Sequence, residues 1–198
     1  LNSIEEQATS LVGAFFDQEL FCHITKPAGK GEVLEKLCDM LRNQGITDES
    51  FLSSVLEREA LSDTTMDPLF AIPHSLSPSS TKTKVAVALL DQPLDWSAGS
   101  KEVRIVFLLA VQAGDRVNIE YLYDLLLSIT NDRRLQHDIL SSQGFADFLA
   151  ILDRKAQCAN SQILQFFIWH SAVFRLEVLP GKGRAQASNR MSQAFAGD

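Results

Sequence analysis

Apolar positions recur along the chain in two rhythms, one helical and one extended, and they alternate often enough to sketch a fold. Ile4, Ala8, Leu11, Val12, Phe15 and Phe16 keep helical spacing and predict a leading helix over residues 3–16. Leu20 to Thr25 reads as a strand, closed by Lys26-Pro27-Ala28-Gly29. From Glu32 to Gln44, Val33, Leu34, Leu37, Met40 and Leu41 line one helical face, and Gly45 supplies the stop. A second helix is expected from about Asp48 to Ala60, with Thr47 as N-cap, Phe51, Leu52, Val55 and Leu56 facing inward, and the charged run Glu57-Arg58-Glu59 closing it. Leu69 to Ile72 is a short apolar strand.

Lys84–Leu90 and Val103–Val111 are nearly unbroken apolar runs, too short to span a membrane and rich in Val and Leu, as in strands covered on both faces. Asp91-Gln92-Pro93-Leu94-Asp95-Trp96 is expected to be a turn followed by a short extended piece, in a hairpin-like connection. Ile119, Leu122, Leu125, Leu126 and Ile129 form a helical stripe after Gly114-Asp115. Asp132 is placed to cap a further helix carrying Leu135, Ile139 and Leu140, and Phe145, Phe148, Leu149 and Leu152 mark a last one. Helices before, between and after buried strands predict an α/β fold with helices on both faces of one sheet.

Charge divides the chain. Residues 1–153 hold 12 basic and 23 acidic side chains and residues 154–198 hold 6 and 2, within a formal total of −7. The acidic body argues against general binding of nucleic acid. Residues 163–169 and 173–179 are apolar, whereas Pro180 to Asp198 is rich in Gly, Ala, Ser, Gln and Arg and is expected to be a solvated tail. Cys22, Cys38 and Cys158 lack metal-like spacing, and the four histidines are scattered, so neither metal nor cofactor is expected. An odd, sparse cysteine set fits free thiols in a reducing, cytoplasmic setting. The chain begins with Leu1, and a piece of something longer is expected.

The candidate chemistry centres on His74. Pro73 removes a backbone donor and biases Ile72 toward an extended conformation. The strand therefore stops abruptly, and His74 meets a loop containing Ser75, Ser77, Ser79, Ser80 and Thr81. Sixteen residues upstream lies Arg58, followed by Ser62, Thr64 and Thr65. A fixed cation, several hydroxyls and an imidazole within one helix–loop–strand unit suit a phosphoryl group carried on a ring nitrogen. The bland alternatives are a histidine capping a strand end and a solvated Arg58. His23 reads as a structural histidine.

The stretch Val55-Leu56-Glu57-Arg58-Glu59-Ala60-Leu61-Ser62, followed by Phe70-Ala71-Ile72-Pro73-His74, resembles the mannitol/fructose-type enzyme IIA domain of the bacterial sugar phosphotransferase system, over roughly residues 18 to 153. The resemblance implies a mixed, about five-stranded sheet flanked by helices. It implies His74 as phosphoacceptor with Arg58 in the same site; Ser62, Thr64 and Ser75 are candidate phosphate-binding residues. The partners implied are the histidine-containing phosphocarrier protein and a IIB domain. Residues 1–17 would be a leading helix or linker and 154–198 an extension outside the family pattern.

The chain departs from transport-type members in two places. Asp67, Pro68, Leu69 and Ser75 stand where glycines are usual around the Ala-Ile-Pro-His run, and Asn118 stands where a second active-site histidine is expected. His137 lies too far along to replace it. Ala-Ile-Pro-His-Ser-Leu, Pro-Leu-Asp-Trp and Val-Phe-Leu-Leu-Ala-Val resemble most the enzyme-IIA-like domains at the C-termini of transcriptional antiterminators and activators. Three readings stay open: a regulatory phosphoacceptor attached to upstream regulator domains, a phosphocarrier step in sugar uptake, and a binding module whose histidine is not phosphorylated. Whether the chain counts as a phosphotransferase depends on which holds.

Overall fold

The computed structural model describes residues 12–98 and 102–156. The chain divides into two compact units, Leu1–Asp153 and Arg154–Asp198, and the architecture below is that of the first. The expected leading helix lies mostly outside the described residues. Its described end is a 3-10 turn, Val12–Ala14, followed by a second 3-10 turn, Gln18–Leu20. The apolar runs and tail expected beyond residue 156 also lie outside the described residues.

Five strands form one mixed sheet: β1 (Phe21–Ile24), β2 (Thr65–Asp67), β3 (Phe70–Ala71), β4 (Lys84–Leu94) and β5 (Val103–Ala110), in the order β1-β4-β5-β3-β2. The two long apolar runs occupy its centre, as strands buried on both faces must. β4 and β5 pair antiparallel, with Ala88 opposite Val106 and Val87 opposite Phe107. β1 runs parallel to β4, and β3 parallel to β5.

The period-2 alternation of β4 and β5 separates two cores. On one face Ala86, Ala88, Leu90, Val106, Leu108 and Ala110 pack under α1 (Lys30–Asn43) and α2 (Phe51–Leu61), which contribute Val33, Leu34, Leu37, Leu41, Phe51 and Val55. Small strand residues admit the helices closely. The opposite face is aromatic: Phe107 meets Phe16, Phe70 and Phe148 edge-on, with centroids 5.7, 4.9 and 5.9 Å away. Phe148 comes from a helix, α5, that includes residues 145–156. α3 (Arg116–Thr130) and α4 (Arg133–Leu140) precede it. The expected stop at Gly45 is present, at φ +65°. So is the Asp132 cap, whose carboxylate accepts from the N–H groups of Arg134 and Leu135.

Three local expectations are corrected. Thr47 does not cap α2: Ser50 is the N-cap residue, and the Asp48 carboxylate accepts from Ser50 instead. Leu56 is exposed, while Glu59 is buried. The segment 91–96 is not a turn at its start, because β4 continues to Leu94. Pro93 fits because it lies in a bulge between the Leu89–Ile105 and Leu94–Val103 pairs, where no ladder donor is needed. The Arg104 guanidinium donates to the Leu90 carbonyl at the start of the bulge, at 2.9 Å.

Candidate functional site

Strand β3 is short because its sequence ends it. The Leu69 carbonyl accepts from the N–H groups of both Arg104 and Ile105, and the Ile72 N–H donates to Thr64 O at 2.9 Å. Pro73 has no N–H, but its carbonyl accepts from Leu109 at 2.9 Å, so one more rung against β5 holds the chain at His74. The imidazole is thereby carried at the end of a strand anchored by the centre of the sheet, half-buried and turned toward the end of α2.

Arg58 reaches it there. The Arg58 Nε–H donates to His74 Nε2 at 3.1 Å, and the His74 Nδ1 lies 3.0 Å from the Ile72 carbonyl. A guanidinium can only donate and a carbonyl can only accept. The two contacts together require the tautomer with hydrogen on Nδ1 and a lone pair on Nε2. The nitrogen available to an electrophile is therefore Nε2. Arg58 also donates from Nη1 to Ser62 O at 2.9 Å, which closes the C-terminal end of α2.

Behind this pair lies a polar cluster that sequence reasoning missed. Glu59 is 6% exposed. Its Oε1 accepts from the Thr64 N–H at 3.1 Å and from the Thr64 hydroxyl. Its Oε2 accepts from Trp96 Nε1 at 3.1 Å and pairs with Lys30 at 3.3 Å. Lys30 in turn sits 5.8 Å from the centre of the Trp96 ring. A signal for Glu59 existed: Phe51, Val55 and Glu59 share one helical face, and the first two are core residues.

His74 also lines a cavity of about 160 Å³, together with Arg58, Asp63, Thr64, Met66, Ile72, Tyr123, Leu126 and Leu127 among others. Met66, Tyr123 and Leu127 remain roughly half exposed at its rim. Asp63 accepts from the N–H and hydroxyl of Thr65, and these hydrogen bonds hold its carboxyl below the usual carboxylate range.

The remaining expected site residues divide by position. Ser62 is exposed beside Arg58, its hydroxyl only 3.5 Å from the Asp63 carbonyl. Thr64 is buried, with its hydroxyl on Glu59. The Ser75 hydroxyl donates to Ser77 O at 2.8 Å. Asn118 lies exposed in the first turn of α3, donating to Asp115 at 2.8 Å, and is not among the residues lining the cavity. Among the described residues no cluster of three or more His, Cys, Asp or Glu could hold a metal ion, and no helix is long and apolar enough to cross a membrane.

Comparisons with known proteins bear on the family and the fold. The chain is 31% identical over 141 residues to the probable licABCH operon regulator of Bacillus subtilis, covering 71% of this chain and 21% of that protein. It is 27% identical over 122 residues to the transcriptional regulator ManR of the same organism, covering 62% and 18%. It thus spans about a fifth of the length of these regulators. In fold it is similar to the crystal structure of IIA mannitol from Escherichia coli, with a TM-score of 0.59 and 17% identity over 69% of this chain and 98% of that one. A complex of enzyme IIAMtl with phosphorylated enzyme IIBMtl from Escherichia coli is similar too, with a TM-score of 0.60 and 16% identity over 69% and 96%. Residues 14–155 match the family described as phosphoenolpyruvate-dependent sugar phosphotransferase system, EIIA 2, and the chain belongs to that family.

Proposed function

We propose that this chain is a phosphoacceptor domain in which His74 takes a phosphoryl group on Nε2, and that the domain reports sugar phosphotransferase activity to a transcription regulator of which it forms part. The observation that carries the reading is the pair of contacts on the imidazole: Arg58 on Nε2 and the Ile72 carbonyl on Nδ1.

The chemistry balances without a metal or a general base. The Nε2 lone pair attacks phosphorus in line with the phosphorus–nitrogen bond of a phosphohistidine on the donor. The new Nε2–P bond forms as the donor's bond breaks, and the donor ring leaves with the electron pair. Positive charge develops on the His74 ring, and the Nδ1–H keeps its hydrogen bond to Ile72 O, which stabilises that charge. Arg58 must release Nε2 as the phosphoryl group arrives. Its guanidinium then faces the phosphoryl oxygens with the same donors. Ser62 is the hydroxyl most easily turned to the phosphate, since its own contact is long. Thr64 and Ser75 would serve there only by giving up their partners on Glu59 and Ser77.

Similarity to two regulators supports the regulatory role, and the family match over 14–155 supports taking 18–153 as the acceptor domain, with 154–198 an extension. Asn118 at the expected second-histidine position adds support: it carries no charge and donates to Asp115, so it supplies no second titratable group for passing a phosphoryl group on. The second reading, onward transfer to a IIB domain, is favoured by the similarity to a IIA protein solved with its phosphorylated IIB partner. The donor in either case is a histidine-containing phosphocarrier protein.

The test is incubation of the chain with phosphoenolpyruvate, enzyme I and the phosphocarrier. Wild type is expected to gain acid-labile label and His74→Ala none. Equal labelling of both would sink the assignment. Absence of label on either would favour the binding module.

A further inference from the structure

The carboxylate of Glu59 touches neither His74 nor the space in front of it, yet it is the buried root of the hydrogen bonds that orient the imidazole. These run in a closed circuit. Glu59 Oε1 accepts from the Thr64 N–H and hydroxyl. Thr64 O accepts from the Ile72 N–H at 2.9 Å. Ile72 O faces His74 Nδ1 at 3.0 Å, and His74 Nε2 accepts from Arg58 Nε at 3.1 Å. Arg58 is joined to Glu59 by a peptide bond. Each link fixes the next: the carboxylate sets the Thr64 peptide, that peptide sets Ile72, and the Ile72 carbonyl selects the hydrogen-bearing nitrogen of the histidine.

The other carboxylate oxygen is tied to elements far away in sequence, through Trp96 from the end of the hairpin and Lys30 from the first turn of α1. A buried carboxylate with donors on both oxygens has one stable orientation, because rotation would leave donors and a charge unsatisfied. A helix end that needed only a solvated charge would require none of these partners.

We infer that Glu59 is a positioning residue for phosphoryl transfer: through Thr64 and Ile72 it holds His74 in the tautomer with hydrogen on Nδ1 and keeps Nε2 aimed at the incoming phosphorus. The inference rests on the proposed role of His74, but its first readout does not. It predicts that loss of the carboxylate lowers the turnover of the phosphorylation step, not the affinity for the donor, since Glu59 is buried and cannot meet a partner.

The experiment uses the full 198-residue chain. Glu59→Gln keeps the shape but sets an amide donor against the donors of Trp96 or Thr64. Trp96→Phe keeps Glu59 and removes one donor, and serves as the milder variant if Glu59→Gln does not fold. The ring nitrogens of His74 are read by 15N NMR in the unphosphorylated chain, and phosphorylation by the phosphocarrier is followed with kcat and KM separated. Wild type is expected to show one tautomer. Glu59→Gln is expected to show a mixture, with kcat down about ten-fold and KM within about two-fold; Trp96→Phe is expected to shift both readouts in the same direction by less. An unchanged tautomer and unchanged kcat in a folded variant would overturn the inference. So would a fall in kcat with the tautomer intact, since the effect would then not pass through Ile72. If wild type takes no phosphate but its tautomer responds to the variants, the proposed function fails and the positioning role stands.

Discussion

His74 adjoins two sets of residues of opposite character, with Thr64 common to both. Behind it, under the end of α2, Glu59, Thr64, Trp96 and Lys30 interlock with the donors on Glu59 matched to its two oxygens. In front of it Met66, Tyr123 and Leu127 stand half exposed around a small cavity with an apolar lining. The rear wall is specific and closed, and the front wall is adaptable and open. A group proposed to react with another protein's side chain is served by both: a fixed frame that limits reorganisation at the moment of transfer, and an uncommitted surface that the partner can desolvate. Arg58 bridges the two, rooted in the helix end and pointing forward.

The largest effect should come from breaking the rear wall outright. Glu59→Ala strands the donors of Trp96 and Thr64 in a buried place and should cost about 3 kcal/mol. For a chain of this size that corresponds to a fall in melting temperature of roughly 6–12 °C, read by calorimetry. A variant that melts like wild type would mean the cluster is relieved by water and frames nothing.

Next is the bridge. Arg58→Ala should leave melting nearly unchanged, because Arg58 is only partly buried and its structural contact is one carbonyl. Phosphorylation should slow by about ten- to a hundred-fold, the worth of a charge-assisted contact of about 1.5–3 kcal/mol realised in the transition state. Unchanged kinetics would reduce Arg58 to a helix-end charge.

The front wall should respond in the opposite sense. Met66→Ser and Leu127→Ser should change stability by less than about 0.5 kcal/mol, while raising the apparent KM for the phosphocarrier with kcat preserved. A loss of stability without a change in KM would show that these side chains belong to the core.

The smallest effect concerns acid. Hydrogen bonds from Thr65 keep the Asp63 carboxyl below its ordinary range. Asp63 therefore contributes stability above its unfolded-state value and loses it as pH falls through the lower folded-state value. Asp63→Asn should lose less stability than wild type as pH falls below about 4, measured by denaturant midpoints.

Much of this is legible in the sequence. The buried runs at 84–90 and 103–111 became the central strands because only strands covered on both faces read that way. Pro73 ended β3 and exposed His74 because a missing N–H and a restricted Ile72 leave the chain few alternatives. What stayed hidden was decided at long range. Glu59 sits in a charged run, and although it shares a helical face with Phe51 and Val55, the Trp96 and Lys30 groups that with Thr64 make its burial tolerable lie 37 and 29 residues away. Pro93 reads as a turn until the bulge opposite Arg104 removes the need for its donor. Thr47 lost the cap because Asp48, one residue on, offers a stronger acceptor to Ser50.

The account's central claim is that the phosphoryl group enters on one particular nitrogen, chosen by the Ile72 carbonyl and released by Arg58 as the group arrives. The most direct measurement is 15N and 31P NMR of the phosphorylated chain with 15N-labelled histidine, reading which ring nitrogen of His74 is bonded to phosphorus. The account predicts phosphorus on Nε2, with Nδ1 still bearing hydrogen. Phosphorus on Nδ1, or on any residue other than His74, would contradict it.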